Sequence, residues 1–227
     1  KSWRDGRHLI ADARILHRPR QFPRRFVSAD DLAVRLETEG HDLPLIDKVR
    51  CLVDGRQLAD FQSEATIRIL RSLETAQNAG FVISAATSGG KSLAFYLPAM
   101  AWISQNSKEN DPWVKALALY PRQELLKDQM TSAFASARIL DGEQRKQNKP
   151  LVSVGAYYGE TPYDNKAVSN PRLQFAKPWR VTRTGSVCPF MRCPRCEGDM
   201  EWLNRDIGAN NEILHCRTED CLYVTPN

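Results

Sequence analysis

The chain has 227 residues, 42% hydrophobic and 26% charged, with 32 basic against 27 acidic side chains and a net charge of +5. That length holds one medium domain or two small ones with a real core, and the balance is that of an ordinary soluble globular protein. There is no apolar run of about 18 residues and no secretory h-region, which argues against a membrane span and for a cytoplasmic protein.

The chain opens on Lys1 rather than Met, as an excised piece of a longer protein would. Residues 1–55 read as an accessory region. Arg4, Arg7, Arg14, Arg18, Arg20, Arg24 and Arg25 face only Asp5 and Asp12 over the first 25 residues. Such an arm suits phosphate contacts, or equally a solvated surface or a segment docked on another domain. Ser28 caps a helix running through Leu36, and Pro19, Pro23 and Pro44 cut the rest into short pieces. Cys51 reads as a small buried apolar residue.

Residues 56–165 alternate between helix and strand. An amphipathic helix is expected over 61–77, with Ala65, Ile69, Leu70 and Leu73 on one face and Gly80 just beyond its end. Strands are expected at 81–84, 116–120 and 151–158, and helices from the 85–92 turn to about 104 and over 123–140, where Glu124 and Asp128 suit the helix dipole. Continuous apolar strands separated by helices predict an α/β fold, a parallel sheet covered by helices on both faces. Ligands of such sheets bind at the strands' carboxyl ends, where the 85–92 turn lies.

That turn is Ala85-Ala86-Thr87-Ser88-Gly89-Gly90-Lys91-Ser92. Backbone N–H groups of Thr87, Ser88, Gly89 and Gly90, with the positive end of the following helix, would cradle a nucleotide triphosphate. Lys91 would reach the β- and γ-phosphates and the Ser92 hydroxyl would coordinate Mg²⁺. Ala85 stands where the general phosphate-loop pattern has Gly, and an ordinary strand-to-helix turn also fits these residues.

Beyond about Thr161, Pro162, Pro171, Pro178, Pro189 and Pro194 interrupt the pattern, and five of the six cysteines fall between Cys188 and Cys221. Cys193-Pro194-Arg195-Cys196 and the Cys216/Cys221 pair are two knuckles 19 residues apart, a spacing that closes four thiolates around Zn²⁺. Trp202, Leu203, Ile213 and Leu214 would form the hairpin between them, as in a zinc ribbon folded largely by its metal. Disulfides and an unrelated free-thiol cluster are the alternatives. Cys188 could replace one ligand, and His215 should point away from its neighbour Cys216. No open coordination position is implied, so the site reads as structural.

Four segments in order give residues 56–162 a resemblance to the first RecA-like domain of superfamily 2 DEAD/DEAH-box-type helicases. Leu58-Ala59-Asp60-Phe61-Gln62 is similar to the Q-motif, which implies that Gln62 selects adenine. The loop resembles that superfamily's A-x-T-G-x-G-K-[ST], in which Ala85 is the expected residue and Ser88 replaces a Gly. Tyr120-Pro121-Arg122-Gln123 looks like motif Ia, implying a grip on a single-stranded nucleic-acid backbone by Pro121, Arg122 and Gln123. Tyr157-Tyr158-Gly159-Glu160-Thr161-Pro162 resembles a segment of DNA helicases with a cysteine-rich domain, favouring DNA over RNA.

The resemblance implies an ATP-, Mg²⁺- and Zn²⁺-dependent DNA helicase or translocase. Its RecA-like sheet would occupy 56–165 and a zinc-ribbon insertion 166–227, the latter on the nucleic-acid side, with Arg180, Arg183, Arg192 and Arg195 contacting phosphates or simply solvated. Other subunits of a bacterial defence complex are implied partners. No D-E-x-H segment of motif II is found, so the expectation is nucleotide binding without useful turnover by this piece alone. A non-hydrolysing scaffold with a degenerate RecA-like domain is the alternative. A nucleotide kinase would leave Gln62 and the motif Ia segment unexplained.

Overall fold

Ser28 starts the first helix as its sequence suggests. The Asp31 N–H donates to the Ser28 hydroxyl oxygen (3.1 Å), and the Ser28 N–H donates back to the Asp31 carboxylate (2.9 Å), a reciprocal capping box. The structure, a computed structural model, describes residues 22–75, 78–85, 89–109, 113–157, 161–162, 164–169 and 179–226.

Strand β1 (Arg25–Val27) precedes helix α1 (Ala29–Thr38), and helix α2 (Leu43–Val53) follows. Pro44, expected as punctuation between short pieces, instead lies in the first turn of α2. Proline in the first turn needs no N–H partner, and Asp42 caps the helix by accepting from the Leu45 N–H (2.9 Å). Strand β2 (Leu58–Ala59) pairs antiparallel with β1 and runs into α3 (Asp60–Glu74). Helices α4 (Lys91–Asn106), α5 (Gln123–Ile139), α6 (Asp141–Lys146) and α7 (Asn165–Ser169) follow. The C-terminal part holds β3 (Arg180–Val181), β4 (Gly185–Arg192), β5 (Asp199–Leu203), the short α8 (Asn204–Gly208) and β6 (Leu214–Cys216). These four strands form one antiparallel sheet in chain order.

Two apolar clusters organise the described residues. In the first, Leu32, Leu36, Val49 and Leu52 of α1 and α2 pack with Leu70 of α3, Leu97 of α4 and Ala137 of α5. Lys48 is fully buried beside it, its Nζ donating to Gln105 Oε1 (2.8 Å) and Gln147 Oε1 (2.9 Å). In the second, Met191, Met200 and Trp202 of the antiparallel sheet pack with Trp179, which precedes β3, and with Phe134 of α5.

The expected parallel sheet is not formed among the described residues, where both sheets are antiparallel. The segments at 81–84, 116–120 and 151–157 are described without strand pairing, and residues 158–160 lie outside the described set. A buried parallel strand needs partners at both edges and helices on both faces. Here Val82, Leu117, Leu119 and Tyr157 are 96%, 79%, 83% and 93% exposed, while α3 to α5 turn their apolar faces to the two clusters.

Helix α3 also sits rotated from its expected face. Its buried side chains are Gln62, Ser63, Thr66, Ile67 and Leu70, whereas Leu73 is exposed. The rotation brings Gln62 inward, toward α4.

Candidate nucleotide and nucleic-acid site, with a cysteine cluster

The 85–92 turn is described at Ala85 and again from Gly89. Gly90 has φ +85°, a left-handed conformation that suits glycine, and α4 opens at the next residue, Lys91. A Cβ on Gly90 would lie 2.6 Å from Gln62 Nε2 and 3.1 Å from an Arg25 guanidinium nitrogen, so the space beside this carbon is filled. Thr87 and Ser88, expected to cradle phosphates, lie outside the described residues, while Gly89 is buried and Gly90 and Ser92 are half-buried. Lys91 turns back on its own loop, its Nζ donating to the Ala85 carbonyl at 2.7 Å.

Gln62 is fully buried, and both ends of its amide are engaged. Oε1 accepts from the Ala59 N–H (2.8 Å), and Nε2 donates to the Gly90 carbonyl (2.8 Å). The side chain therefore fastens the start of α3 to the end of the 85–92 turn. One lone pair and one N–H of the amide remain beyond these two bonds.

Two contacts at this site carry no signal in the local sequence. β1–β2 pairing places Arg25 opposite Ala59 and so beside Gly90. The Tyr96 hydroxyl of α4 is hydrogen-bonded to the Tyr120 hydroxyl, joining α4 to the start of the Pro121-Arg122-Gln123 segment. Burial, then this bond, pushes the Tyr96 phenol well above its usual range. Only knowledge of which strands and helices are neighbours finds these pairs.

Pro121, Arg122 and Gln123 are all exposed. Arg122 is the extended N-cap residue of α5, and its own side chain makes no cap bond to the first turn. An exposed helix N-terminus beside a guanidinium suits a phosphate group.

Cys193, Cys196, Cys216 and Cys221 come together, their Sγ atoms all within 4.8 Å of one another. The Cys193–Cys221 and Cys196–Cys216 separations are 3.7 and 3.4 Å, far beyond a disulfide bond. A tetrahedron with metal–sulfur bonds of about 2.3 Å has edges of about 3.8 Å, so the four sulfurs suit a tetrathiolate ion. Burial pushes the Cys193 thiol up to about 12, while the Thr218 hydroxyl and then the Gly198 N–H draw Cys196 down to about 6. Cys188 stands apart, buried on β4, and His215 turns to Asp206 Oδ2 (2.9 Å). Trp202 pairs with Leu214 across β5 and β6, so the expected hairpin forms, with α8 in its connection.

Arg180 and Arg192, read as candidate phosphate contacts, both pair with Asp199, and Arg195 lies over the Tyr223 ring.

A family model described as DEAD/DEAH box helicase matches residues 60–178, just over half the chain. The span includes Gln62, the 85–92 turn and residues 121–123, but neither Arg25 nor the four clustered cysteines. No curated protein and no solved structure matches the chain.

Proposed function

The chain belongs to the DEAD/DEAH box helicase family, and from that premise we propose that it binds ATP–Mg²⁺ at the 85–92 loop and a single nucleic-acid strand at the start of α5, as part of an ATP-dependent helicase or translocase. In this reading residues 1–55 are accessory, 56–165 carry the nucleotide site and 166–227 form a zinc-bearing unit. The observation that carries it is the Gly90 bend leading directly into a helix that opens with Lys91-Ser92. A helix N-terminus that opens on Lys91 and Ser92 suits a polyphosphate.

The chain's own residues divide the work. Lys91 exchanges the Ala85 carbonyl for anionic phosphate oxygens, which adds the attraction of opposite charges to the bond given up. The amides at the start of α4 add donors and the helix dipole. Ser92 offers its hydroxyl to Mg²⁺, which when bound neutralises phosphate charge. Gln62, fully buried, holds the loop at Gly90 from its inner side. Arg122 and the amides at the start of α5 take the strand's phosphates, and the Tyr96–Tyr120 bond links the two sites. The four clustered cysteines hold Zn²⁺ as a closed structural site. DNA is the favoured strand, on the sequence of residues 157–162.

Titration with a fluorescent ATP analogue tests the reading. Saturable, Mg²⁺-dependent binding displaced by unlabelled ATP is expected, and binding that ATP cannot displace would overturn it. For the nucleic-acid half, Arg122→Glu should weaken single-stranded oligonucleotide binding and lower its salt dependence by about one ion. Unchanged affinity and slope would remove Arg122 from the interface.

A further inference from the structure

Helix α5, whose first turn is the proposed nucleic-acid grip, is also the helix against which the cysteine unit rests. Contacts run along its length. The Arg192 N–H at the end of β4 donates to Thr131 Oγ1 (3.3 Å). One turn further on, Phe134 is buried in the same cluster as Met191, Cys193 and Cys221. Beyond that, Pro194, Arg195 and Tyr223 line a cleft with Ala135, Arg138 and Ile139. The opposite side of α5, at Ala133 and Ala137, belongs to the first cluster. The helix is held between two cores, and two of the four clustered thiols stand in one of them.

The unit's charge is close to balanced. Residues 166–227 carry nine basic side chains against seven carboxylates, and Arg180 and Arg192 both pair with Asp199. Its packing on α5 gives it a route to a bound strand besides any direct contact.

We propose that the cysteine unit is a zinc-dependent clamp that sets the position of α5, so that loading of the Cys193, Cys196, Cys216 and Cys221 site controls nucleic-acid affinity while leaving the nucleotide site alone. The inference rests on the reading of residues 121–123 as the nucleic-acid grip. Its physical basis is that Cys193 and Cys221 are at once ligands and core members. The second knuckle is tied to the sheet by the three-residue strand β6 and a few backbone bonds, so without a central ion the Cys193 and Cys221 part of the wall that Phe134 meets loses its anchor. Phosphate contacts at a helix N-terminus demand fixed geometry, and a helix free to shift loses them first.

The test uses the whole chain, zinc-loaded, chelator-treated and zinc-restored. Metal content, single-stranded oligonucleotide affinity, ATP-analogue affinity and amide hydrogen exchange are read on each. Chelation should weaken oligonucleotide binding at least about fivefold, the lower end of typical intersite coupling. It should speed exchange across α5, leave exchange in α3 and α4 and ATP-analogue affinity within about twofold of wild type, and be reversed by zinc. Cys196→Ser should reproduce the chelated state. Unchanged exchange in α5 after zinc loss overturns the proposal, as does equal loss of both ligands, which would make the metal a general support of the fold. A chain that binds no zinc overturns it as well. If Arg122→Glu has no effect on oligonucleotide binding, the reading of 121–123 fails, and α5 exchange still decides whether the clamp exists.

Discussion

Replacing Gly90 with Ala should cost the protein about 2–3 kcal/mol, and the structure supplies each contribution. Holding a side-chain-bearing residue at φ +85° costs about 1–2 kcal/mol. The new methyl would overlap Gln62 Nε2. That atom is the end of a side chain, but the residue is fully buried and fixed by bonds to Ala59 and Gly90, so it has nowhere to swing. Breaking the Gln62–Gly90 bond adds about 1–3 kcal/mol for buried groups left unpaired. The reduced freedom of the unfolded chain returns about 0.4–1 kcal/mol. Urea denaturation followed by circular dichroism reads the result as a midpoint lowered by about 1–1.5 M, for a slope near 2 kcal/mol per M. Gly142→Ala is the control. It lies in α6 with nothing near its Cβ position, and should gain up to about 1 kcal/mol. Equal midpoints for the Gly90 variant and wild type would refute the claim that this turn is built around a glycine.

Gln62→Leu leaves the Ala59 N–H and the Gly90 carbonyl without partners, and should destabilise the chain by about 2–4 kcal/mol in the same assay. A loss under about 1 kcal/mol would mean that water replaces the amide. Metal analysis should find one zinc per chain in wild type and in Cys188→Ser, but a clear shortfall in Cys216→Ser; the opposite ranking would put Cys188 in the site. Bonds from the Ser28 side chain and then its N–H hold the Asp31 carboxyl below its ordinary 3.8. Asp31 therefore supports the fold above the unfolded carboxylate pKa of about 3.9, and that support vanishes as the pH falls through the depressed folded value. The stability gap between wild type and Asp31→Asn should be flat above about pH 5 and narrow below about pH 4. A gap independent of pH would contradict the capping role.

The features legible in the sequence were those decided within a few residues. The Ser28 cap, the opening of α4 after Gly90 and the span of α5 depend on short-range spacing, and the meeting of the two cysteine knuckles on a ligand pattern that recurs after 19 residues. Long-range pairing was not legible. The 81–84, 116–120 and 151–157 segments carry the β-prone composition of buried strands, yet whether such a segment pairs depends on neighbours its own periodicity does not encode. The burial of Gln62 follows from the packing of α3 on α4, which favoured Thr66 and Ile67 over Ala65 and Leu73. Arg25 reaches Gly90 because β1 pairs with β2 across 33 intervening positions or so, a closure that no local pattern announces.

The central claim is that the Gly90–Ser92 turn receives a nucleotide's phosphates through Lys91. Equilibrium titration of a fluorescent ATP analogue into wild type and Lys91→Ala, with unfolding midpoints measured in parallel, tests it most directly. The variant should keep its fold and bind at least about tenfold more weakly, the loss expected when a charge-assisted bond of about 1.5–3 kcal/mol is removed. Equal affinity in the two proteins would contradict the account.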